Sequence, residues 1–168
     1  REQRRHERGG AMNTPVGSAL AQETIAFRLN GSDVSAYAGE SLIEVADRLG
    51  VPIPRLCYKP GMRPDGNCRS CMVEIKGERV LAPSCCRAPA AGMEVTSNSE
   101  RAVRSQKMVV ELLASDVPER VYKLDSELDT WKRKLGIGAP RFPAREQPAA
   151  DLSHPAMAVN LDACIQCT

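Results

Sequence analysis

The sequence predicts an α+β fold: a small mixed sheet crossed by one helix, with further helices behind it. Three observations predict it. Residues 24–37 alternate apolar and polar side chains on either side of Asn30-Gly31, residues 40–50 switch to helical spacing, and short strand-like runs follow a loop rich in Cys, Gly, Pro and Arg. The 168 residues suit one domain with an appendage, or two small domains.

The elements follow in order. In "IAFRLNG", Ile25, Phe27 and Leu29 point one way and the run turns at Asn30-Gly31; "DVSAY" continues the alternation, so the pair reads as a β-hairpin. In "GESLIEVADRLG", Leu42, Val45, Ala46 and Leu49 share one helical face. Ser41 and Glu44 form an S-x-x-E capping box and Gly50 supplies the stop. After the cysteine loop, "CMVEIKGERVLAPSCC" reads as strand, turn around Gly77, strand, and "GMEVTS" as a last short strand. The order β-β-α-loop-β-β-β over residues 24–97 is that of a β-grasp fold. A unit this small buries little surface, so an internal staple would help it fold.

From Ser99, "SERAVRSQKMVVELLAS" reads as a second amphipathic helix with Ala102, Gln106, Val109, Val110 and Leu113 on one face. A third helix is expected through "KLDSELDTWKRKLG", where Leu124, Leu128, Trp131 and Leu135 fall at helical intervals and Gly136 closes it. Residues 137–158 hold four prolines and read as an extended connector.

Composition narrows the function. Hydrophobic residues make up 42% but aromatics only 4%, so the expected core is aliphatic and modest. A net charge of +2 with 26% charged residues fits a soluble protein. Nucleic acid is not an expected partner, because the basic residues are dispersed and lack stacking aromatics beside them. No apolar run approaches the roughly 18–20 residues of a membrane span. The Arg-rich start has no apolar signal segment and reads as disordered, with Met12 as the expected natural start. A reducing cytoplasm is the expected compartment, where seven cysteines point to metal or redox chemistry more than to disulfides. No G-x-G-x-x-G, Walker loop, Ser-His-Asp set or paired catalytic carboxylates are present, so no catalytic centre is expected.

The chemistry lies in the cysteines. Counting gives Cys57-x10-Cys68-x2-Cys71-x13-Cys85. Zinc takes four thiolates tetrahedrally, usually from two C-x-x-C knuckles, and only one is present. A 2Fe–2S cluster takes two thiolates per iron, and this pattern resembles the plant-type C-x4-C-x2-C…C with a longer first gap. Gly61, Gly66 and Asn67 let the loop wrap closely, and Lys59, Arg63 and Arg69 are expected to offset cluster charge. Iron–sulfur is the preferred reading, a zinc-stapled β-grasp module without redox function the alternative. Cys86 is a one-residue alternative to Cys85. Neighbours at a strand end face opposite ways, so one of the two should point at the loop and the other is expected to be a small buried hydrophobe. At the C-terminus, Cys164-Ile-Gln-Cys167 matches the opening of the C-x2-C-x2-C-x3-C-P run that holds 4Fe–4S clusters, and equally a zinc knuckle or redox pair. His154, alone before Pro155, reads as a surface or packing residue.

"CYKPGMRPDGNCRSCMVEI…LAPSC", a helix, and then "NLDACIQCT" together resemble the N-terminal iron–sulfur region of three related subunits. These are the large iron–sulfur subunit of complex I, the diaphorase small subunit of NAD-reducing hydrogenases, and the α subunit of NAD-dependent molybdenum or tungsten formate dehydrogenases. The tail "RFPAREQP…SHPAMAVNLDACIQC" is most similar to the last. The resemblance implies that Cys57, Cys68, Cys71 and Cys85 hold a 2Fe–2S cluster, and it selects Cys85 over Cys86. It implies that Cys164 and Cys167 begin a 4Fe–4S site, with its other ligands and a molybdopterin-binding domain lying in a remainder of which this chain is a fragment. The implied function is electron transfer between a molybdopterin site and a flavin/NAD-binding partner subunit. One departure weakens the complex I reading: many relatives carry H-x3-C-x2-C-x5-C after the second helix, and residues 115–136 contain neither His nor Cys. The expected organisation is a disordered segment (1–23), a β-grasp 2Fe–2S ferredoxin domain (24–98), a helical segment (99–136), a Pro-rich connector (137–158) and the truncated start of a bacterial-type 4Fe–4S ferredoxin module (159–168).

Overall fold

The structure, a computed structural model, describes residues 23–117, 126–160 and 164. The expected N-terminal disorder, Leu124 and Cys167 lie outside them. Strand β1 (Thr24–Leu29) turns through Asn30-Gly31 into β2 (Ser32–Tyr37), and Leu29 pairs with Ser32, so the turn is two residues long. Both turn residues have positive φ, 51° and 85°, which explains an Asn-Gly pair here: both tolerate the left-handed region that a two-residue hairpin demands. The Asn30 side chain is also used, accepting from the Ser97 N–H at 2.8 Å and tying the hairpin to the far end of the domain.

Helix α1 (Leu42–Arg48) begins at the predicted box, with the Ser41 N–H donating to Glu44 Oε2 at 2.7 Å. Its Leu42, Ile43, Val45 and Ala46 are buried against the sheet. Strands β3 (Met72–Ile75), β4 (Ala82–Pro83) and β5 (Glu94–Thr96) complete the sheet in the order β2-β1-β5-β3-β4. β1 and β5 run parallel and every other neighbouring pair antiparallel, the mixed sheet of a β-grasp domain. Phe27, Leu29, Val73, Ile75 and Val95 from the strands meet the helix and the loop residues Ile53 and Tyr58 in one hydrophobic core.

Helix α2 (Glu100–Asp116) starts at Ser99, whose hydroxyl accepts from the Ala102 N–H at 3.1 Å. Its buried positions are Ala102, Gln106, Val110, Glu111, Ala114 and Ser115; Val109 and Leu113, expected on the inner face, are half-buried. Gln106 is buried because it has work for its amide: Nε2 donates to the carbonyls of Met72 (2.8 Å) and Ser97 (3.1 Å). Helix α3 (Glu127–Leu135) starts at Ser126 and ends at Gly136 in the left-handed region, as its sequence predicts.

Residues 137–158 are more structured than an extended connector. Glu111 of α2 is buried and receives the backbone N–H, Nε and Nη2 of Arg141 at 2.9, 2.8 and 2.7 Å. This clamp holds the Glu111 carboxyl down at about 2. Farther along, Gln147 donates to the Asp116 carbonyl at 2.7 Å. A hairpin of β6 (Asp151–His154) and β7 (Met157–Val159) then follows, turning at Pro155-Ala156. His154 closes that turn, its Nδ1 accepting from the Ala156 N–H at 3.2 Å, in keeping with a surface role. Among the described residues, no helix is long and apolar enough to cross a membrane.

Candidate iron–sulfur site

The loop from α1 to β3 carries three sulfurs, and the turn after β4 carries the fourth. The loop is anchored before it begins to bend. Ile53 and Tyr58 are buried in the core, and Arg55 makes a two-pronged ion pair with Asp47 on α1 while lying 5.9 Å over the Tyr58 ring. Cys57, between these anchors, is half-buried; Cys68, Cys71 and Cys85 are buried. Arg69, inside the C-x-x-C, has φ +57°, and this left-handed step turns the chain between its two cysteines.

The four sulfurs stand as two pairs. Cys57 and Cys68 act on each other's ionisation, and the backbone N–H groups of Asn67 and Cys68 favour a charged Cys57 sulfur. Cys71 Sγ and Cys85 Sγ are 3.4 Å apart, and their backbones are joined by Ser84, whose N–H (3.0 Å) and Oγ (2.8 Å) both donate to the Cys71 carbonyl. Among the described residues, no three Cys, His, Asp or Glu converge as one metal ion would require. Two close pairs of thiols are the donor set of a two-iron centre with two thiolates per iron.

The electrostatics split each pair into one lowered and one raised thiol. The hydrogen bond with the Cys85 sulfur, against the opposing effect of burial and with the Cys85 N–H assisting, brings Cys71 down to about 6. Cys85 is correspondingly pushed far up by that same hydrogen bond and by burial. Burial works against ionisation at Cys68, but the N–H of Ser70 and the Cys57 contacts outweigh it and lower the thiol. Burial raises Cys57. Ser70 Oγ is fully buried, and the neighbour on which its hydroxyl acts is the Cys68 sulfur. A hydroxyl left this way is costly unless it has an acceptor, and a cluster sulfur or ligated thiolate is such an acceptor. The residues therefore fit a 2Fe–2S group.

Three expectations change. Cys86 is exposed, not a buried hydrophobe, and it does not face away from Cys85: their sulfurs are 3.5 Å apart. β4 stops at Pro83, so both cysteines sit in a turn where strand alternation does not apply. The basic residues are less available than their sequence suggests, since Lys59 pairs with Glu127 of α3 and Arg63 with Asp65 at 3.3 Å. Cys164 is exposed. Ser70 and Ser84 carry roles that the cysteine spacing conceals; their signal is a small polar residue beside each of Cys71 and Cys85.

Residues 22–100 match the family described as the 2Fe-2S iron-sulfur cluster binding domain. This part of the chain is a 2Fe–2S ferredoxin-like domain. The similarity continues past the domain. An NADH-quinone oxidoreductase subunit of Rhizobium meliloti (strain 1021) is 31% identical over 150 residues, 85% of this chain and 18% of the relative. NADP-reducing hydrogenase subunit HndD of Solidesulfovibrio fructosivorans is 30% identical over 160 residues, 85% of this chain and 26% of that protein. The chain thus spans about a quarter or less of the length of these curated relatives. A crystal structure of NAD+-reducing [NiFe]-hydrogenase in the H2-reduced state superposes with a TM-score of 0.74 at 29% identity, covering 85% of this chain and 62% of that one. The protein is related to subunits of NADH-quinone oxidoreductase and of NADP- and NAD+-reducing hydrogenases through a 2Fe–2S electron-transfer module.

Proposed function

We propose that Cys57 and Cys68 hold one iron and Cys71 and Cys85 the other, making the domain a one-electron relay within a larger NAD-linked oxidoreductase. The observation that carries this reading is the two-and-two grouping of the sulfurs, with Cys71 and Cys85 at 3.4 Å. The cluster supplies a metal centre that gains and loses single electrons. The protein supplies the thiolates, the N–H groups of Asn67, Cys68, Ser70 and Cys85 that favour charged sulfur, the Ser70 hydroxyl, and a core that excludes water from three of the four ligands.

For the parent enzyme we infer the α subunit of an NAD-dependent formate dehydrogenase. The support is the tail from Arg141 to Cys167 and the absence of His and Cys from residues 115–136. In that setting Cys164 and Cys167 begin a 4Fe–4S site completed by later residues, molybdopterin chemistry belongs to the remainder of the subunit, and a flavin/NAD-binding subunit is the partner. A second reading, a complex I or hydrogenase diaphorase subunit, is favoured by the names of the relatives. Sequence beyond Thr168 separates them, since only the dehydrogenase continues into a pterin-binding domain.

The test of the relay is anaerobic purification with iron and labile-sulfide counts and EPR of the reduced protein. Two irons, two sulfides and one rhombic signal per chain are expected, and Cys68→Ser should abolish or shift that signal. A colourless protein carrying one zinc would replace the relay with a structural module.

A further inference from the structure

We propose that Cys86 is a reserve ligand for the iron held by Cys71 and Cys85, able to take the Cys85 position when that thiolate is lost. The inference rests on the ligand set given above. Its basis is a row of three sulfurs: Cys71 to Cys85 at 3.4 Å and Cys85 to Cys86 at 3.5 Å. Two thiolates bound tetrahedrally at about 2.3 Å lie about 3.8 Å apart, so each neighbouring pair is already near the edge length of one metal tetrahedron.

The surrounding structure keeps Cys86 turned toward the site. Its sulfur lies 3.8 Å from the carbonyl of Pro64, in the loop that carries Cys57, Cys68 and Cys71. At Gly66 a Cβ would come 2.9 Å from that sulfur, so the loop leaves room for the thiol only because residue 66 has no side chain. Cys85 and Cys86 open on the same cavity, beside Met62 and Pro64. With two thiolates to each iron, Cys86 would be a substitute and not an added ligand. In the exchange, the Cys86 thiol gives its proton to solvent and its sulfur takes the coordination position that Cys85 vacates. Iron and sulfide keep their oxidation states, and no reductant or oxidant is consumed.

The test compares C85A, C86A, C85A/C86A and C71A on the full chain after anaerobic reconstitution, reading iron, labile sulfide and EPR. C85A should retain most of its iron with a shifted EPR signal, C85A/C86A and C71A should fall to background, and C86A should match the unmodified protein. Iodoacetamide followed by mass spectrometry gives a second readout: Cys86 should be alkylated in the loaded wild type and protected in loaded C85A. The comparison is repeated with C85S, with and without C86A, because serine is closer to cysteine in size. Iron lost from C85A and C85S as completely as from their doubles overturns the proposal, as does a spectrum altered by C86A alone. A cluster that survives C71A would instead overturn the ligand set beneath it.

Discussion

Residues 24–97 and residues 137–159 are held by opposite means. The first region closes around buried Leu42, Ile43, Val45, Val73 and Val95, each at most 2% exposed, and its polar contacts serve turns, caps and sulfurs. The second keeps Leu152 and Met157 71% and 61% exposed and is fastened mainly through charged and polar side chains: Arg141 on Glu111, Gln147 on Asp116. The β-grasp half is a packed unit whose loop can hold sulfurs in fixed relation. The later segment is a strap whose attachment at Arg141 is an ion pair, so its loosening is expected to leave the core intact.

Substitutions can break that contrast. Leu42→Ala, at 1% exposure, should have the largest effect, costing about 3 kcal/mol and lowering the urea midpoint for the sheet and α1 together. An undiminished midpoint would mean that the core is looser than its burial indicates. Gly66→Ala should cost less, about 1–2 kcal/mol, from its φ of +67° together with the 2.9 Å approach to Cys86. Adding Cys86→Ala should restore the steric part and leave the backbone part; equal stability of single and double variants would remove the sulfur from the explanation.

The smallest effect on the core is expected from Glu111→Gln, which should leave the urea midpoint of the sheet unchanged while raising protease cleavage within residues 137–147. The same contact fixes a pH dependence. Glu111 lies at about 2 when clamped against an ordinary 4.5, so the strap's stabilisation is fully present above pH 4.5, declines as pH falls, and is lost below about 2. Proteolysis by an acid-active protease across that window should rise toward low pH in the unmodified chain and stay nearly flat in Glu111→Gln. A flat profile in both would show that Arg141 does not hold the strap.

What is legible in the sequence is local. The Asn30-Gly31 turn, the Ser41/Glu44 box and the Gly136 stop each follow from two to four adjacent residues, and each is present. The cysteine spacing singles out Cys57, Cys68, Cys71 and Cys85 as candidates, but not the approach of Cys71 to Cys85 at 3.4 Å, which depends on the turn after β4. The orientation of Cys86 escapes the alternation rule because the strand has already ended at Pro83. The β6–β7 hairpin leaves no sequence signal because nearly all its side chains face solvent and no buried face imposes a period. Spacing puts Gln106 on the inner face, but its acceptors, the Met72 and Ser97 carbonyls, are set by the tertiary fold.

One pair of hydrogen bonds bears on the order in which the molecule is made. The first-turn N–H groups of α1 are satisfied at long range, Leu42 by the Arg87 carbonyl at 2.8 Å and Ile43 by the Ser84 carbonyl at 3.1 Å. During synthesis three of the four proposed ligands therefore leave the ribosome while the helix before them still lacks those acceptors. Completing the helix and delivering Cys85 become a single event. In the proposed ligand set, the last sulfur arrives only once the helix beside it is complete.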